Sequence, residues 1–255
     1  MIDRSSIKIE AKGILRTARV SPLLVAAVVI AVQFILERIV TLVETGSLFF
    51  YNTYASYYYD ALVRGDYDAL MSLVASLPER TAMSTFFSLL VDLFLITLMG
   101  GYYIYCMGIR QGTEMPVTSL LDGLGVAGKL IWCCIQITVR VFLWSLLLFI
   151  PGIIAAYRYR FAYYNILTDG SLSASEAIAL SSRQTAGMKM DLFVLDLSFI
   201  GWEIVSNFTY GLLNIWLMPY KTLAELAYFE EGQRRMGRSP YGGASGGQSG
   251  TPWEF

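Results

Sequence analysis

Seven ionisable residues stand inside otherwise apolar stretches of this chain: Asp92, Arg140, Arg158, Arg160, Asp196, Glu203 and Lys221. In a lipid environment an unpaired charge at mid-depth costs roughly 2.5–3.5 kcal/mol, so several together demand partners or a task. Two chemistries fit such a set. Opposite charges can neutralise one another and hold helices together, or they can line a path for an ion or small solute. The signs are nearly balanced, which favours glue, because a transport site leaves one charge or a broken helix for its substrate. The expected polar cluster is Asp92 and Glu203 against Arg140 and one of Arg158 and Arg160. Those two arginines are two residues apart, about 200° around a helix, so both cannot face one neighbour. Asp196 and Lys221 are expected to form a second pair, since they are equidistant from the turn at Asn207–Gly211; by the same rule Glu203 faces Asn214.

Other chemistry is poorly served. The chain has no histidine, which removes Ser-His and Cys-His nucleophiles and histidine metal sites. Its three cysteines, Cys106, Cys133 and Cys134, lie in apolar segments without a CxxC partner, so no zinc site or disulfide framework is expected. An intramembrane hydrolase would need an aspartate dyad or a Ser-Lys pair. Asp92 and Asp196 fall at different expected depths, against a dyad. The stretch DGLGVAGKL, Asp122 to Leu130, matches GxGxxG and GxxxxGK. It has no preceding strand, and Leu130 stands where a nucleotide site needs Ser or Thr. A turn into a helix anchored by Lys129 is the simpler reading. No catalytic residue, metal or cofactor is expected.

The elements that must carry these residues follow from composition. Hydrophobic residues make up 55% of the 255 and charged ones 15%, against about a quarter charged in soluble domains. Mean hydropathy is +0.52. The apolar blocks are long enough to span lipid, and a net charge of −1 offers no field for nucleic acid. The expected fold is all-α, a polytopic transmembrane helical bundle. Spans are expected at about 20–42, 83–107, 130–150, 153–167, 191–208 and 211–230, within a membrane domain of 20–231. Pro151-Gly152 is expected to end the third. An outer loop at 44–80 gathers Tyr51, Tyr54, Tyr57, Tyr58, Tyr59 and Tyr67, residues suited to a headgroup interface.

The disputed segment is 153–167, which holds both arginines. Residues 1–19 read as a basic amphipathic helix, with Lys8, Lys12, Arg16 and Arg19 on a face suited to an anionic leaflet. The tail, 232–255, is Gly/Ser-rich, is expected to be disordered, and opens with Arg234, Arg235 and Arg238. Basic residues at both ends place both termini in the cytoplasm, which requires an even number of spans. The disputed segment then crosses as the fourth of six, the alternative being a re-entrant helix. On the inner side SASE, Ser173 to Glu176, is a capping box opening a helix over 173–185.

Four blocks carry a resemblance: IKIEAKGILR, FIPGIIAAYRYRFAYYNILTDGSLSASEAIALSSR, MDLFVLDLSFIGW and IWLMPYKTLAELAYFE. Together they resemble the uncharacterised bacterial membrane proteins of domain-of-unknown-function family 975, over nearly the whole membrane domain. The resemblance implies a multi-pass helical protein of the cell membrane and no particular activity. The family usually has serine-like residues where Arg158 and Arg160 stand here. The function expected is that of a non-enzymatic scaffold or accessory subunit. Its partners would be the lipid bilayer and a membrane protein, with no nucleic acid. The alternative is a small-solute or ion transporter using the charge cluster.

Overall fold

The computed structural model describes residues 4–78, 81–209 and 211–241. Eleven helices follow one another among them: α1 (Arg4–Thr17), α2 (Pro22–Thr45), α3 (Phe50–Arg64), α4 (Tyr67–Ala75), α5 (Ala82–Arg110), α6 (Ala127–Leu147), α7 (Phe149–Arg158), α8 (Ala162–Thr168), α9 (Ala174–Gln184), α10 (Lys189–Phe208) and α11 (Asn214–Arg235). A 3₁₀ stretch, Val117–Val126, leads into α6. The described residues contain no strand. Three helical stretches are long and apolar enough to cross a membrane: Pro22–Thr45, Ala82–Arg110 and Val117–Leu147.

Local chemistry sets the helix ends. Ser21 precedes Pro22, and its carbonyl accepts from Leu24 N–H at 2.9 Å, so proline sits at the first helical position where a missing N–H costs nothing. Thr81 Oγ1 accepts from Ser84 N–H at 3.1 Å and opens α5. Ser173 and Glu176 form the full capping box of α9.

The chain divides into two compact units, residues 31–95 and the remainder, with the boundaries inside α2 and α5. In the smaller unit, the stretch expected as an outer loop at 44–80 holds two helices, α3 and α4. Ala, Leu and Ser among the tyrosines let the helix propagate, and Phe50, Tyr54 and Tyr58 stack at i,i+4 with centroids 6.0 and 6.4 Å apart. The one interruption is Gly65-Asp66. Gly65 takes the left-handed conformation that ends α3, and Asp66 Oδ1 accepts from Ala69 N–H at 3.0 Å to start α4.

In the larger unit, the most deeply buried side chains come from the C-terminal half of α5 (Tyr102, Tyr105), from the α7–α8 turn and α8 (Phe161, Ile166), and from α11 (Tyr228, Phe229). Burying a side chain of this size is worth about 1.5–3 kcal/mol. The glycine-rich motif belongs to this packing. A Cβ on Gly123 would lie 2.1 Å from the Thr97 carbonyl oxygen, so the glycine lets the 3₁₀ stretch press against the α5 backbone.

Two hairpins complete the unit. The first turns three residues earlier than expected: α6 ends at Leu147, Leu148 is extended, and Pro151 sits in the first turn of α7. A proline there forfeits no intrahelical bond, whereas at the end of α6 it would. Gly152 allows α7 to lie on α6, since a Cβ would come within 2.1 Å of Ser145 Oγ. The second hairpin joins α10 to α11, and α11 continues through Gly232 and Gln233, both buried, to Arg235. The boundary expected at 232 therefore falls inside a helix whose last turn packs on α9; residues 242–255 lie outside the described residues.

Candidate functional site

The disputed segment is two helices with a break at Tyr159–Phe161. A break exposes backbone groups that water or other side chains must satisfy. Here Ser181 of α9, itself fully buried, serves both ends: its Oγ donates to the Arg158 carbonyl at 2.9 Å and accepts from Phe161 N–H at 3.0 Å. Below it, Asn165 and Gln184 exchange side-chain amide hydrogen bonds at 2.8 and 2.9 Å and join α8 to α9.

The break presents Arg160. Its Nε and Nη2 donate to Glu225 Oε1 and Oε2 of α11 at 2.8 and 2.9 Å. Its Nη2 also donates to Asp196 Oδ1 of α10 at 3.0 Å, and Nη1 pairs with Oδ2 of the same carboxylate. Tyr157 adds a hydroxyl to Asp196 Oδ2 at 2.9 Å. Lys221 Nζ stands 2.6 Å from Glu203 Oε1 and 3.5 Å from Asp196 Oδ1. Arg160, Lys221, Asp196, Glu203 and Glu225 thus form one continuous network linking three segments of the chain. Three carboxylates face two cations. Each guanidinium edge is occupied, a geometry that favours bidentate pairing and leaves no free fork for an incoming anion.

Of the expected cluster, only Arg160 and Glu203 belong to this network. Arg140 is bound within its own helix, to the Gln136 side chain at 2.9 Å and its carbonyl at 3.2 Å. Arg158 closes α7 and takes no part in the network, and its buried Nε has no hydrogen-bond partner among the described residues. Asp92 is exposed and lies in the smaller unit. Glu203 takes Lys221 in place of Asn214, whose Oδ1 accepts from Ser206 instead at 2.8 Å. Lys221 lies about two turns along α11 from Asn214, a span that its long side chain helps to cross. Asp196 and Lys221 do meet, though Lys221 stands closer to Glu203.

Sequence reasoning overlooked Glu225, Tyr157 and Ser181. Spacing carried a signal for the first: Glu225 is four residues after Lys221, hence on the same helix face one turn deeper. A second network went unexpected altogether. Arg110, with a side chain 4% exposed, donates to Glu230 at 2.5 and 3.1 Å and to Glu10 of α1 at 3.1 Å; Tyr241 donates to Glu230 at 2.5 Å. Burial and the Glu230 carboxylate push the Tyr241 hydroxyl well above its ordinary pKa.

The basic face of α1 is turned partly inward. Lys8 Nζ donates to Ser198 Oγ at 2.8 Å and lies 5.1 Å from the centre of the Phe199 ring, and Lys12 lies 5.7 Å from that of Tyr220. Burial first, and the neighbouring Lys12 second, hold the Lys8 ammonium below its ordinary pKa. Arg19 pairs with Glu114 at 2.6 Å, and Arg16 stays exposed in the last turn. Ile7 and Ala11 bury beneath this face, which is why the helix docks on protein by the side that also carries Lys8.

Beside the Arg160–Glu225 pair opens a cavity of ≈ 670 Å³, walled by α5, α6, α7, α8 and α11 and rich in tyrosine. No curated protein and no solved structure matches the chain. The all-helical architecture, the apolar helices and the blocks around the Arg160 break agree with one family assignment: the chain belongs to the family described as Protein of unknown function (DUF975), whose model matches residues 1–235.

Proposed function

We propose that this protein is a non-enzymatic, multi-pass component of the cell membrane, a scaffold or accessory subunit. Six spans carry it: α2, α5, the Val117–Leu147 stretch, the α7–α8 pair, α10 and α11, with both termini in the cytoplasm. The apolar tips of the two hairpins support this, since Leu147, Phe149 and Phe208 are exposed without a charge between them. The observation that carries the scaffold reading is the saturation of Arg160. Both carboxylates engage it through two contacts each, so its charge is spent on tying α10 and α11 to the α7–α8 break. Its partners are the bilayer and another membrane protein.

Affinity purification from native membranes in mild detergent, followed by mass spectrometry, tests it. A stoichiometric protein partner is expected; a solitary protein in repeated preparations counts against it. A transporter is the second reading, favoured by the helix break beside a cavity, an arrangement used at transport sites. Saturable solute uptake into proteoliposomes, lost in Glu203→Gln, would replace the scaffold reading with that one.

A further inference from the structure

The cavity beside Arg160 is spacious, and the network that ties the helices together does not need it. Its volume of ≈ 670 Å³ lies within the usual range for small-molecule sites, about 300–1,000 Å³. One wall is apolar: Ile137, Val141 and Phe142 from α6 with Ala156 from α7. The other end is polar but neutral in sum. The two charges in its lining, Arg160 and Glu225, pair with each other, and Tyr103 and Tyr163 are among the lining tyrosines. Phe142, 63% exposed, stands at the rim on a stretch long and apolar enough to cross a membrane. In a bilayer the molecules that meet that rim are lipids.

We propose that this cavity binds an uncharged amphiphile drawn sideways from the bilayer: one acyl chain against α6, a second chain left in the lipid, and a hydroxyl or carbonyl end toward the tyrosine hydroxyls and the Arg160–Glu225 pair. Charge decides the class. An anion would have to displace a carboxylate from a guanidinium already forked twice, and a cation would meet that same guanidinium. Depth decides it again. Arg160 lies twelve residues past Leu148, roughly 18 Å at 1.5 Å per residue, near the middle of a core about 30 Å thick, where a charged headgroup is costly. A diacylglycerol-like molecule meets both conditions and a phospholipid headgroup meets neither. This inference rests on the membrane placement proposed above and is independent of the scaffold role.

The test uses the full-length protein in liposomes with three photoactivatable probes of equal chain length: a diacylglycerol, a phosphatidic acid and a long-chain amine. Saturable labelling by the diacylglycerol is expected, about tenfold above either charged probe, with modified peptides confined to the 137–145 and 156–164 segments. Ala156→Trp fills the cavity from its wall, and Thr138→Trp fills it from the exposed rim. Either, in protein that retains its helical circular dichroism, should lower labelling about tenfold. Tyr103→Phe with Tyr163→Phe should lower it about fivefold by removing two hydroxyls. Equal labelling by all three probes, a charged probe preferred, labels spread over all exposed helices, or filled variants that label like wild type would each overturn the proposal. Extraction by alkaline carbonate without detergent separates the two failures. Release of the protein would refute its membrane placement, whereas retention without selective labelling refutes only the ligand.

Discussion

Arg160 and Glu225 meet fork to fork, Nε to Oε1 at 2.8 Å and Nη2 to Oε2 at 2.9 Å, although 65 residues separate them. The guanidinium leaves the chain where α7 gives way to α8, and the carboxylate leaves the middle of α11. One rigid planar contact therefore fixes the break against the last helix. Asp196 completes it from α10, so a single arginine registers three segments. Lysine could supply the charge but not the two-edged geometry.

Removing both partners of this contact should be less damaging than the two single removals added together. Glu225→Leu leaves Arg160 partly buried with only Asp196, and should cost about 3–5 kcal/mol. Arg160→Met with Glu225→Leu should cost less than the sum of the single changes, because Asp196 keeps Lys221 and Tyr157. Lys221→Met alone should cost only about 1 kcal/mol, since its nearer partner Glu203 is 43% exposed. Thermal unfolding in one detergent, over the full double-mutant cycle, measures all of these; additive losses would mean that Arg160 and Glu225 are not coupled.

Ser181 is the second test of the break. Its hydroxyl serves the Arg158 carbonyl and the Phe161 N–H together, so Ser181→Ala orphans the N–H and leaves the carbonyl only the Thr185 hydroxyl, at 3.2 Å. The loss should be about 1–3 kcal/mol, and the Phe161 amide should exchange its hydrogen faster by a matching factor. Ser181→Thr, which retains the hydroxyl, should recover most of the protection. Unchanged exchange at Phe161 in the alanine variant would show that the break has another support.

Helical class, the apolar helices and the capping box were legible because each is a local pattern: hydropathy over twenty residues, or S-x-x-E before an apolar face. The antiparallel rule brought Asp196 and Lys221 together for a similar reason, since a hairpin's two strands of helix share one turn. The Arg160 partners were harder. Nothing local says that Arg158-Tyr159-Arg160 breaks a helix; the break is stabilised by Ser181, 20 residues on from Phe161, through contacts that exist only after α9 has folded back. Arg140 misled for the opposite reason. Its partner, Gln136, is one turn away, and a neutral amide carries no charge signal that would mark it as an arginine's partner. The tyrosine-rich stretch reads as a loop on composition, although Gly65 is its sole residue of left-handed conformation between Phe50 and Ala75.

The capping box of α9 gives a pH dependence with a definite sign. Glu176 is held below its ordinary carboxylate pKa by the Ser173 hydroxyl and then by the Ser173 backbone N–H. A carboxylate with a depressed folded-state pKa contributes stability that is complete above the unfolded value, about 4.5, and that fades as pH falls through the lower folded value. Amide exchange in the first turn of α9, corrected for intrinsic rates, should therefore be flat at neutral pH and rise below that value. Glu176→Gln keeps a side chain able to reach the Ser173 N–H but cannot titrate, and its profile should lose the acid limb. An identical acid limb in both proteins would assign the pH dependence to another group.

The placement of α1 leads to a prediction opposite to the one its composition suggests. A basic helix lying on an anionic leaflet would bind through Lys8, Lys12, Arg16 and Arg19 together, and any lysine-to-glutamine change would weaken its dependence on anionic lipid. In the folded chain Lys8 is spent on Ser198 and the Phe199 ring, Lys12 on the Tyr220 ring, and Glu10 on Arg110. Each cation–π contact at such a half-open site is worth about 0.5–1 kcal/mol. Lys8→Gln with Lys12→Gln should therefore loosen α1 from α10 and α11 and speed tryptic cleavage after Arg16 by about tenfold, at any anionic-lipid content. Glu10→Gln should do the same more weakly, since Glu10 is half exposed and Arg110 retains Glu230. Cleavage that quickens only in vesicles rich in anionic lipid would return the basic face to the leaflet. Lipid-independent cleavage would establish that α1 is bound by the aromatic rings of the last hairpin.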